Sequence, residues 1–412
     1  MKEGYKETAI GLIPEGWEVL SISDFADILD KKRIPLSSEV RSEMKGHFPY
    51  CGANGIVDYI DQYIFEGIHV LIAEDGGNFH EYETRPISYL MSGKFWVNNH
   101  AHVLRAKNGE HKFLHYSLVH KDITTHIIGS TRTKLNKSTL EKIPLAIPSK
   151  TEQSKIASIL STVDDKIDAI NEKITQTQQL KHGLMQRLLN RGVGHTKFKD
   201  SPIGEIPDSW EVVKLDSLVT KVGSGITPKG GRETYLQKGI IFIRSQNVLK
   251  GKMNLSEIAY ISSEQHEKMN GSKVMAGDVL LNITGASIGR SCVVPSSIVD
   301  GNVNQHVCII RTKDTLDATF LCQMLNSYHG QNQIEKFQAG GNREGLNFQQ
   351  IRSFEIPFPP ITEQKTIAEI FTSVDENLDI LQEKETEYEK LKKGLIQKLL
   401  TGRLRVKQNE IL

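Results

Sequence analysis

Two histidine–glutamate pairs come nearest, by residue type, to a hydrolytic metal site. In an H-E-x-x-H helix, two histidines bind zinc and the glutamate acts as a general base. The pairs that begin at His80 and His266 lack the second histidine, because Thr84 and Asn270 stand at the required spacing. The other histidines are scattered without ligand spacing. The sequence therefore predicts no metal site and no metalloprotease chemistry.

A glycine-rich stretch from Gly223, GSGITPKGG, resembles a phosphate-binding loop only superficially. A nucleotide-binding loop needs G-x-x-x-x-G-K-[ST], in which main-chain N–H groups and the lysine hold the phosphates. The spacing differs here, so we expect a turn and no ATP hydrolysis. The N-P-P-Y tetrapeptide of amino-methyltransferases is absent as well. These features predict a binding protein with no catalytic residue and no cofactor.

The cysteines point to a reducing compartment. No C-x-x-C pair occurs, so neither a zinc site nor redox chemistry is indicated. We expect reduced, packed thiols in a cytosolic protein. No apolar run approaches ~18 residues and no signal peptide is recognised, so the expected location is cytoplasmic. The four cysteines are Cys51, Cys292, Cys308 and Cys322.

The charge balance limits the kind of partner. Fifty-one basic and 50 acidic residues give a net charge of +1, so the chain has no overall basic field. DNA binding would then depend on local basic loops, which set phosphate contacts. A length of 412 residues predicts two or more domains, because single cores stop growing near ~250–300 residues.

The chain contains two copies of one unit. GLIPEGWEV at Gly11 recurs as GEIPDSWEV at Gly204, 193 positions later. PSKTEQSKIASIL at Pro148 recurs as PPITEQKTIAEIF at Pro359, 211 positions later. Two large, unequal copies are typical of a single chain whose two halves are arranged like the subunits of a pseudo-two-fold dimer.

The first part of each copy is predicted to be an α/β domain. The apolar runs HVLIAEDGG, GIIFIRSQN, GDVLLNITG and HVCIIRTKD are bounded by Gly, Asn and Asp, which favours strands. TLDATFLCQMLNS favours a helix between them. His100 and His306 recur in VNNH and VNQH, and we expect them to have a structural hydrogen-bonding role.

The second part of each copy is predicted to be one long helix with a coiled-coil seam. Its apolar residues alternate in steps of four and three. Ser149 and Glu152 fit a capping box, and Gly192 and Gly402 are plausible stops. A helix of ~40 residues would span ~60 Å, so the pair could act as a ruler between the domains. A plain oligomerisation coil or core helix remains the alternative. The predicted seam residues are Ile156, Leu160, Val163, Ile167, Ile170, Ile174, Ile367, Phe371, Val374, Leu378 and Leu381.

Taken together, these repeated boxes resemble the specificity (S) subunit of Type I restriction–modification systems over essentially the whole chain. LMQRLLNRG and LIQKLLTGR, near the ends of the two helices, add to the resemblance. It implies two pseudo-two-fold related α/β target recognition domains joined by two long antiparallel coiled-coil helices. The expected divisions are recognition domain 1 at 1–148, spacer helix 1 at 149–192, a linker at 193–202, recognition domain 2 at 203–360, spacer helix 2 at 361–402 and a C-terminal tail at 403–412.

The resemblance also implies a division of labour. The chain would be a non-catalytic subunit whose domains read different half-sites of a bipartite, asymmetric target in double-stranded DNA. Two modification subunits would supply S-adenosylmethionine-dependent adenine N6 methylation, and two restriction subunits ATP-driven translocation and cleavage. Two alternatives remain open: an enzyme with its site in the α/β domains, or an interaction scaffold whose coil dimerises domains that do not bind DNA.

Basic, amide and tyrosine side chains in the predicted loops are the candidate DNA contacts. Phosphates attract Lys and Arg, while base edges favour Arg, Asn, Gln or Lys. Base-reading residues vary within the family, so none is transferred from it. The candidates are Lys31, Lys32, Arg33, Tyr50, Asn78, Tyr82, Arg132, Lys134 and Lys137 in the first domain, and Lys221, Lys229, Arg232, Arg244, Gln246, Asn247 and Arg343 in the second.

Overall fold

The chain forms two compact units. The computed structural model describes residues 3–107, 110–129, 133–228, 230–338 and 345–406, and only the main chain at 232. Unit 1 comprises Met1–Glu172 with Glu383–Leu412, and unit 2 comprises Lys173–Gln382. Each unit therefore contains one globular part and a segment of each of the two long helices.

Unit 1 begins with a β-hairpin and ends its globular part in a strand that leads directly into a long helix. Its strands are β1 Tyr5–Thr8, β2 Gly11–Pro14, β3 Glu18–Ser21, β4 Ala26–Ile28, β5 Lys45–Gly52, β6 Gly55–Ile60, β7 Phe65–Glu66, β8 His69–Ala73, β9 Ser88–Met91, β10 Lys94–Val97, β11 Ala101–Ala106 and β12 Pro144–Ile147. Its helices are α1 Ile22–Phe25, α2 Ser38–Glu43, α3 His111–Val119, α4 Lys137–Leu140 and the first part of α5 Lys150–Arg191.

Two four-stranded sheets organise unit 1. One is antiparallel with the order β4-β11-β8-β9, and helix α3 packs on β8 and β9. The other has the order β6-β5-β10-β7, in which β5 and β10 are parallel. Every residue of β8 is buried, which accounts for its continuous apolar run. The largest core cluster gathers residues of both the globular part and the long helices, including Trp17, Phe113, Leu160 and Leu399.

Unit 2 follows the same outline, with 11 strands instead of 12 among the described residues. Its strands are β13 Phe198–Ser201, β14 Gly204–Pro207, β15 Glu211–Lys214, β16 Val219–Ser224, β17 Ile240–Ile243, β18 Ala259–Ile261, β19 Val279–Asn282, β20 Ser291–Val293, β21 Gly301–Val303, β22 Val307–Thr312 and β23 Glu355–Phe358. Its helices are α6 Ser263–Lys268, α7 Ala318–Asn326, α8 Tyr328–Gln338, α9 Phe348–Arg352 and the first part of α10 Ile361–Leu399.

The sheets of unit 2 resemble those of unit 1, but the second one has three strands, in the order β18-β17-β21, instead of four. The order β16-β22-β19-β20 matches β4-β11-β8-β9, and the parallel pair β17–β21 matches β5–β10. The four predicted strands are confirmed as β8, β17, β19 and β22, and the predicted helix as α7. Residues 193–202, expected as a linker, include β13, which pairs with β14 as β1 pairs with β2.

Segments of the two long helices run in opposite directions within each unit. In unit 1, Lys392 Nζ lies 2.6 Å from Asp164 Oδ1, while Leu160 shares a core with Leu399. In unit 2, Lys181 Nζ lies 2.6 Å from Asp375 Oδ1, while Leu189 shares a core with Ile367. The two ion pairs are related by the sequence repeat, since each member recurs 211 positions later.

The predicted seam is buried most deeply where each helix begins. Ile156, Leu160, Ile367 and Phe371 lie at or below 1% exposure, in cores that also contain residues of the globular parts. Val163 and Leu381 are also buried, and the remaining seam residues, Ile167, Ile170, Ile174, Val374 and Leu378, are half-buried. The seam residues thus pack into the cores of the globular parts as well as along the helices.

A glycine follows the C-terminal end of each long helix. Gly192 and Gly402 adopt φ of 61° and 67°, which confirms them as stops. None of the helices in the described part of the chain is long and apolar enough to cross a membrane.

Candidate nucleic-acid interface

In unit 1, several strand ends meet at one end of the domain. Strands β4 and β8 end where β11 begins, because β11 is antiparallel to both. Strand β5 ends there too, since it runs parallel to β10, and Asn98 N donates to Cys51 O at 3.0 Å. Asn54 Nδ2 donates to Gly76 O at 2.9 Å and so joins two of the loops. We call residues 29–33, 52–54, 74–78, 98–100 and 133–135 loop end 1.

Unit 2 assembles the same end from the same strands. Asn304 N donates to Ile243 O at 3.0 Å, and Gly225 N donates to Asn304 O at 3.1 Å. Leu346 N donates to Ile283 O at 2.9 Å, as Leu135 N does to Glu74 O at 2.7 Å in unit 1. We call residues 225–228, 244–247, 283–290, 304–306 and 345–346 loop end 2.

A histidine stands at the centre of each loop end. His100 Nδ1 lies 2.6 Å from Asp75 Oδ1, and His306 Nδ1 lies 2.6 Å from Thr284 Oγ1. An asparagine two residues earlier accepts the main-chain N–H of each histidine, at 2.8 Å and 3.1 Å. These bonds agree with the structural role expected for the two histidines. The side chain of His100 is nevertheless 41% exposed, so it also contributes to the surface.

An ion-pair network joins the segments of loop end 1 to one another and to β11. Arg33 Nη1 is 2.8 Å from Glu74 Oε2, and Lys134 Nζ is 3.1 Å from Glu74 Oε1. His102 Nδ1 is 2.6 Å from Asp30 Oδ2. Burial alone would raise the pKa of Asp30, but the hydrogen bond and charge of His102 hold it below its usual value. Asp30, Glu74 and His102 lie close enough to share a cation, yet Arg33 and Lys134 already supply that charge.

The structure divides the first-domain candidates into surface and framework residues. Lys31 and Lys32 are exposed on loop end 1. Arg33 is only 13% exposed and Tyr50 only 1%, so neither presents a free side chain. The hydroxyl of Tyr50 accepts from Leu36 N at 2.9 Å, a structural contact. Tyr50 and Arg33 therefore hold the framework of the domain through tertiary partners that the sequence does not show, and their contact with DNA stays a prediction.

The other first-domain candidates are engaged in local contacts. Asn78 Nδ2 donates to Pro86 O at 3.0 Å, and Tyr82 is half-buried against the core. Lys134 is 47% exposed while it pairs with Glu74, and Lys137 is 3.8 Å from Glu141. Arg132 lies outside the described residues.

In unit 2, two candidates prove to be framework residues. Asn247 is fully buried, and its side chain caps Arg244 N at 3.0 Å and donates to Asn254 O at 3.0 Å. Lys221 lies on β16 rather than in a loop, with Nζ 3.2 Å from Lys273 O, and burial lowers its pKa. Both side chains are engaged within the domain, and their contact with DNA stays a prediction.

The remaining second-domain candidates lie on or near loop end 2. Arg244 Cζ stands 5.4 Å from the ring centre of Tyr235 and Nη2 donates to Glu257 O, while Gln246 is exposed. Lys229 and Arg343 lie outside the described residues, and so does the side chain of Arg232.

Sequence reasoning missed two residues of these surfaces. Asn54 is exposed, two residues beyond β5, and corresponds to Gln246, three residues beyond β17 in unit 2. Arg290 ends the loop after β19 and has no ion pair among the described residues. Alignment of β5 with β17 could have found Asn54, but the two strands are too dissimilar in sequence for their correspondence to be recognised.

The chain matches the family model described as Type I restriction modification DNA specificity domain, over residues 14–179 and 207–390. It is 28% identical over 428 residues to the Type I restriction enzyme MjaVIII specificity subunit of Methanocaldococcus jannaschii, covering 98% of this chain and 97% of that protein. It is 29% identical over 369 residues to the putative Type I specificity subunit S.HindORF215P of Haemophilus influenzae, covering 86% and 87%.

Solved structures agree in fold. The crystal structure of the S subunit of a Type I restriction–modification system from M. genitalium matches with a TM-score of 0.64 at 15% identity. That match covers 93% of this chain and 96% of the other.

Proposed function

Because the chain belongs to the Type I restriction modification DNA specificity domain family, we propose that it is the non-catalytic subunit that reads two different DNA half-sites for a Type I restriction–modification complex. Each half-site would be read by one loop end. The observation that carries this proposal is the duplicated loop end, in which the same strands present different side chains.

The two loop ends share a frame and differ at the surface. Both have a turn of Asn, an amide residue and His, followed by a strand in the centre of the sheet. Asp75 in unit 1 corresponds to Thr284 in unit 2, and exposed Asn54 corresponds to Gln246. Amide and basic groups on loops can contact base edges in the major groove. Different side chains on equal frames support an asymmetric, bipartite target.

The proposed spacer consists of α5 and α10, acting as an antiparallel coiled coil between the half-sites. The opposed direction of their segments within each unit supports this arrangement, as do the repeated ion pairs Asp164–Lys392 and Lys181–Asp375. Shortening one helix would then change the gap between half-sites and leave their sequences unchanged.

The partners would carry the chemistry. Two modification subunits would methylate adenine at N6, and two restriction subunits would translocate and cleave DNA with ATP. The target adenine must leave the duplex to be methylated, so base flipping would fall to the modification subunit. A net charge of +1 suits a chain whose phosphate contacts are shared with partners. An interaction scaffold that binds no DNA is the alternative.

Duplex binding tests the proposal. We would measure fluorescence anisotropy on duplexes selected from a random library, using the chain with its modification subunit. Lys31→Ala combined with Lys32→Ala should weaken binding to every duplex and reduce the salt slope by up to ~2, because phosphate contacts are sequence-independent. Lys166→Ala, an exposed lysine on α5, is the matched control.

The base preference of each variant distinguishes base-specific contacts from sequence-independent contacts to phosphates. Asn54→Ala should relax preference in one half-site only, and Gln246→Ala in the other. If the wild-type chain binds no duplex even with its modification subunit, the scaffold alternative is favoured.

A further inference from the structure

Unit 1 has an open groove of about 640 Å³ away from loop end 1. Its walls are the hairpin β1–β2, helix α3, strand β12 and the last turns of α10. Most lining side chains are apolar, among them Leu12, Tyr116, Leu145 and Leu400. Leu12 is 51% exposed, so the groove leaves apolar surface in water.

Unit 2 builds the same walls and covers them with a helix of its own. Gly11 of β2 and Gly204 of β14 are equivalent positions in the two hairpins. A β-carbon at Gly11 would have no neighbour within 4 Å among the described atoms. A β-carbon at Gly204 would lie 3.9 Å from Cε1 of His329, which belongs to α8.

A second set of contacts puts α8 at the same place. Glu355 begins β23 as Pro144 begins β12, and the residue after Pro144 lines the groove. Gln333 of α8 bonds both main-chain groups of Glu355, with Oε1 2.7 Å from N and Nε2 3.0 Å from O. Ile334 of α8 is 2% exposed and belongs to the core of unit 2. The groove is therefore the place in unit 1 that corresponds to α8 in unit 2.

The charge of the groove restricts what could fill it. Lys121, Arg403 and His120 line it, and none of its lining residues is acidic. Lys121 is half-buried, and burial lowers its pKa although the neighbouring Asp122 opposes that shift. A carboxylate from an occupant would stabilise the charge of Lys121.

We propose that this groove binds an amphipathic helix of a modification subunit, with an apolar face on the groove floor and an acidic residue towards Lys121 and Arg403. The inference rests on the proposed function, which supplies that partner. A second copy of the chain would not provide α8, because Gln333 and Ile334 are already engaged inside unit 2. The two units would thus hold their modification subunits by different contacts.

Binding stoichiometry tests the groove. Ser117→Trp would fill it, and Lys121→Glu would reverse its charge at a half-buried surface position. Ser42→Trp, at an exposed position of α2, is the matched control. The probe is the purified cognate modification subunit, measured by titration calorimetry and by light scattering after size exclusion.

The wild-type chain and the control should bind two copies. Either groove variant should bind one copy of the modification subunit at least about tenfold more weakly and bind the second copy with unchanged affinity. If Ser117→Trp fails to fold, Lys121→Glu alone decides. Two unchanged binding events with folded Lys121→Glu would overturn the inference, and so would altered self-association of the chain alone, which would mean a second copy as occupant. A wild-type chain that binds no modification subunit would instead contradict the proposed function.

Discussion

Trp17 donates its indole N–H to Glu152, with 3.0 Å between Nε1 and Oε2 and 135 residues between them in sequence. Trp210 makes the same bond to Glu363, again at 3.0 Å. Both indole rings are fully buried. Arg405 adds two bonds to the Glu152 carboxylate, at 2.8 and 3.1 Å. The repeated glutamate therefore fastens the start of each long helix to the tryptophan of its own copy.

Removal of Glu152 should destabilise unit 1. Glu152→Ala leaves the Trp17 N–H buried without an acceptor, which costs about 1–3 kcal/mol. Urea unfolding followed by tryptophan fluorescence would measure the loss. Glu15→Ala, an exposed glutamate near the same tryptophan, should change the free energy of unfolding by less than about 0.5 kcal/mol. Equal effects of the two variants would contradict the role of the bond.

Charge reversal tests the contact between helix segments in unit 1. Asp164→Lys should cost about 1 kcal/mol, because it places a lysine beside Lys392 where a 2.6 Å ion pair stood. The double variant with Lys392→Asp should recover most of this loss. Recovery should be incomplete, because Tyr116 Oη donates to Asp164 at 2.6 Å and loses its acceptor. A double-mutant cycle with no coupling energy would speak against the pair.

The Ser149–Glu152 box shows what local sequence predicts and what it leaves open. Ser149 Oγ accepts from Glu152 N at 3.4 Å, so the cap half of the prediction is confirmed. The carboxylate does not return to the cap, since it bonds Trp17 and Arg405. Periodicity and caps report local structure, which is why the long helices and the repeat were predictable. Partners far along the chain are not encoded locally.

The same limit explains the DNA candidates. Lys31 and Arg33 look alike in a basic loop, yet one is exposed and the other pairs with Glu74, 41 residues away. Asn54 went unnoticed because its importance depends on which strands end together. Residue type predicted which chemical groups the loops carry. The strand order of the sheets was needed to tell which of those residues are exposed at the loop ends.

Arg33 and Lys32 should therefore behave differently. Arg33→Ala removes the cation between Glu74 and Asp30, and breaking such a buried pair costs about 3 kcal/mol. Lys32→Ala, the adjacent exposed residue, should leave stability unchanged and weaken DNA binding. Thermal unfolding and duplex affinity, measured on both variants, check this division. A loss of stability in Lys32→Ala together with unchanged stability in Arg33→Ala would contradict this division.

Acid should weaken unit 1 through His115. Burial, with Lys392 nearby, lowers the pKa of His115 to about 4. The unfolded chain takes up this proton near pH 6.5 and the folded chain only near pH 4, so stability falls as pH decreases between these values. The contribution is on the order of 3 kcal/mol.

Urea unfolding of His115→Gln from pH 7 to 4 measures that contribution. The variant should show a shallower loss of stability than the wild type, and the exposed His80→Gln should follow the wild type. Parallel curves for His115→Gln and the wild type would show that this histidine does not couple folding to pH.

The two domains are proposed to read two half-sites independently. Methylome sequencing of cells that carry the chain with its modification subunit tests this claim most directly. Exchange of residues 20–134 for those of another specificity subunit should change one half of a bipartite methylation motif, and exchange of 213–345 should change the other half. Spacer length should stay constant in both cases. A motif whose two halves change together, or a spacer that changes with either exchange, would contradict the claim.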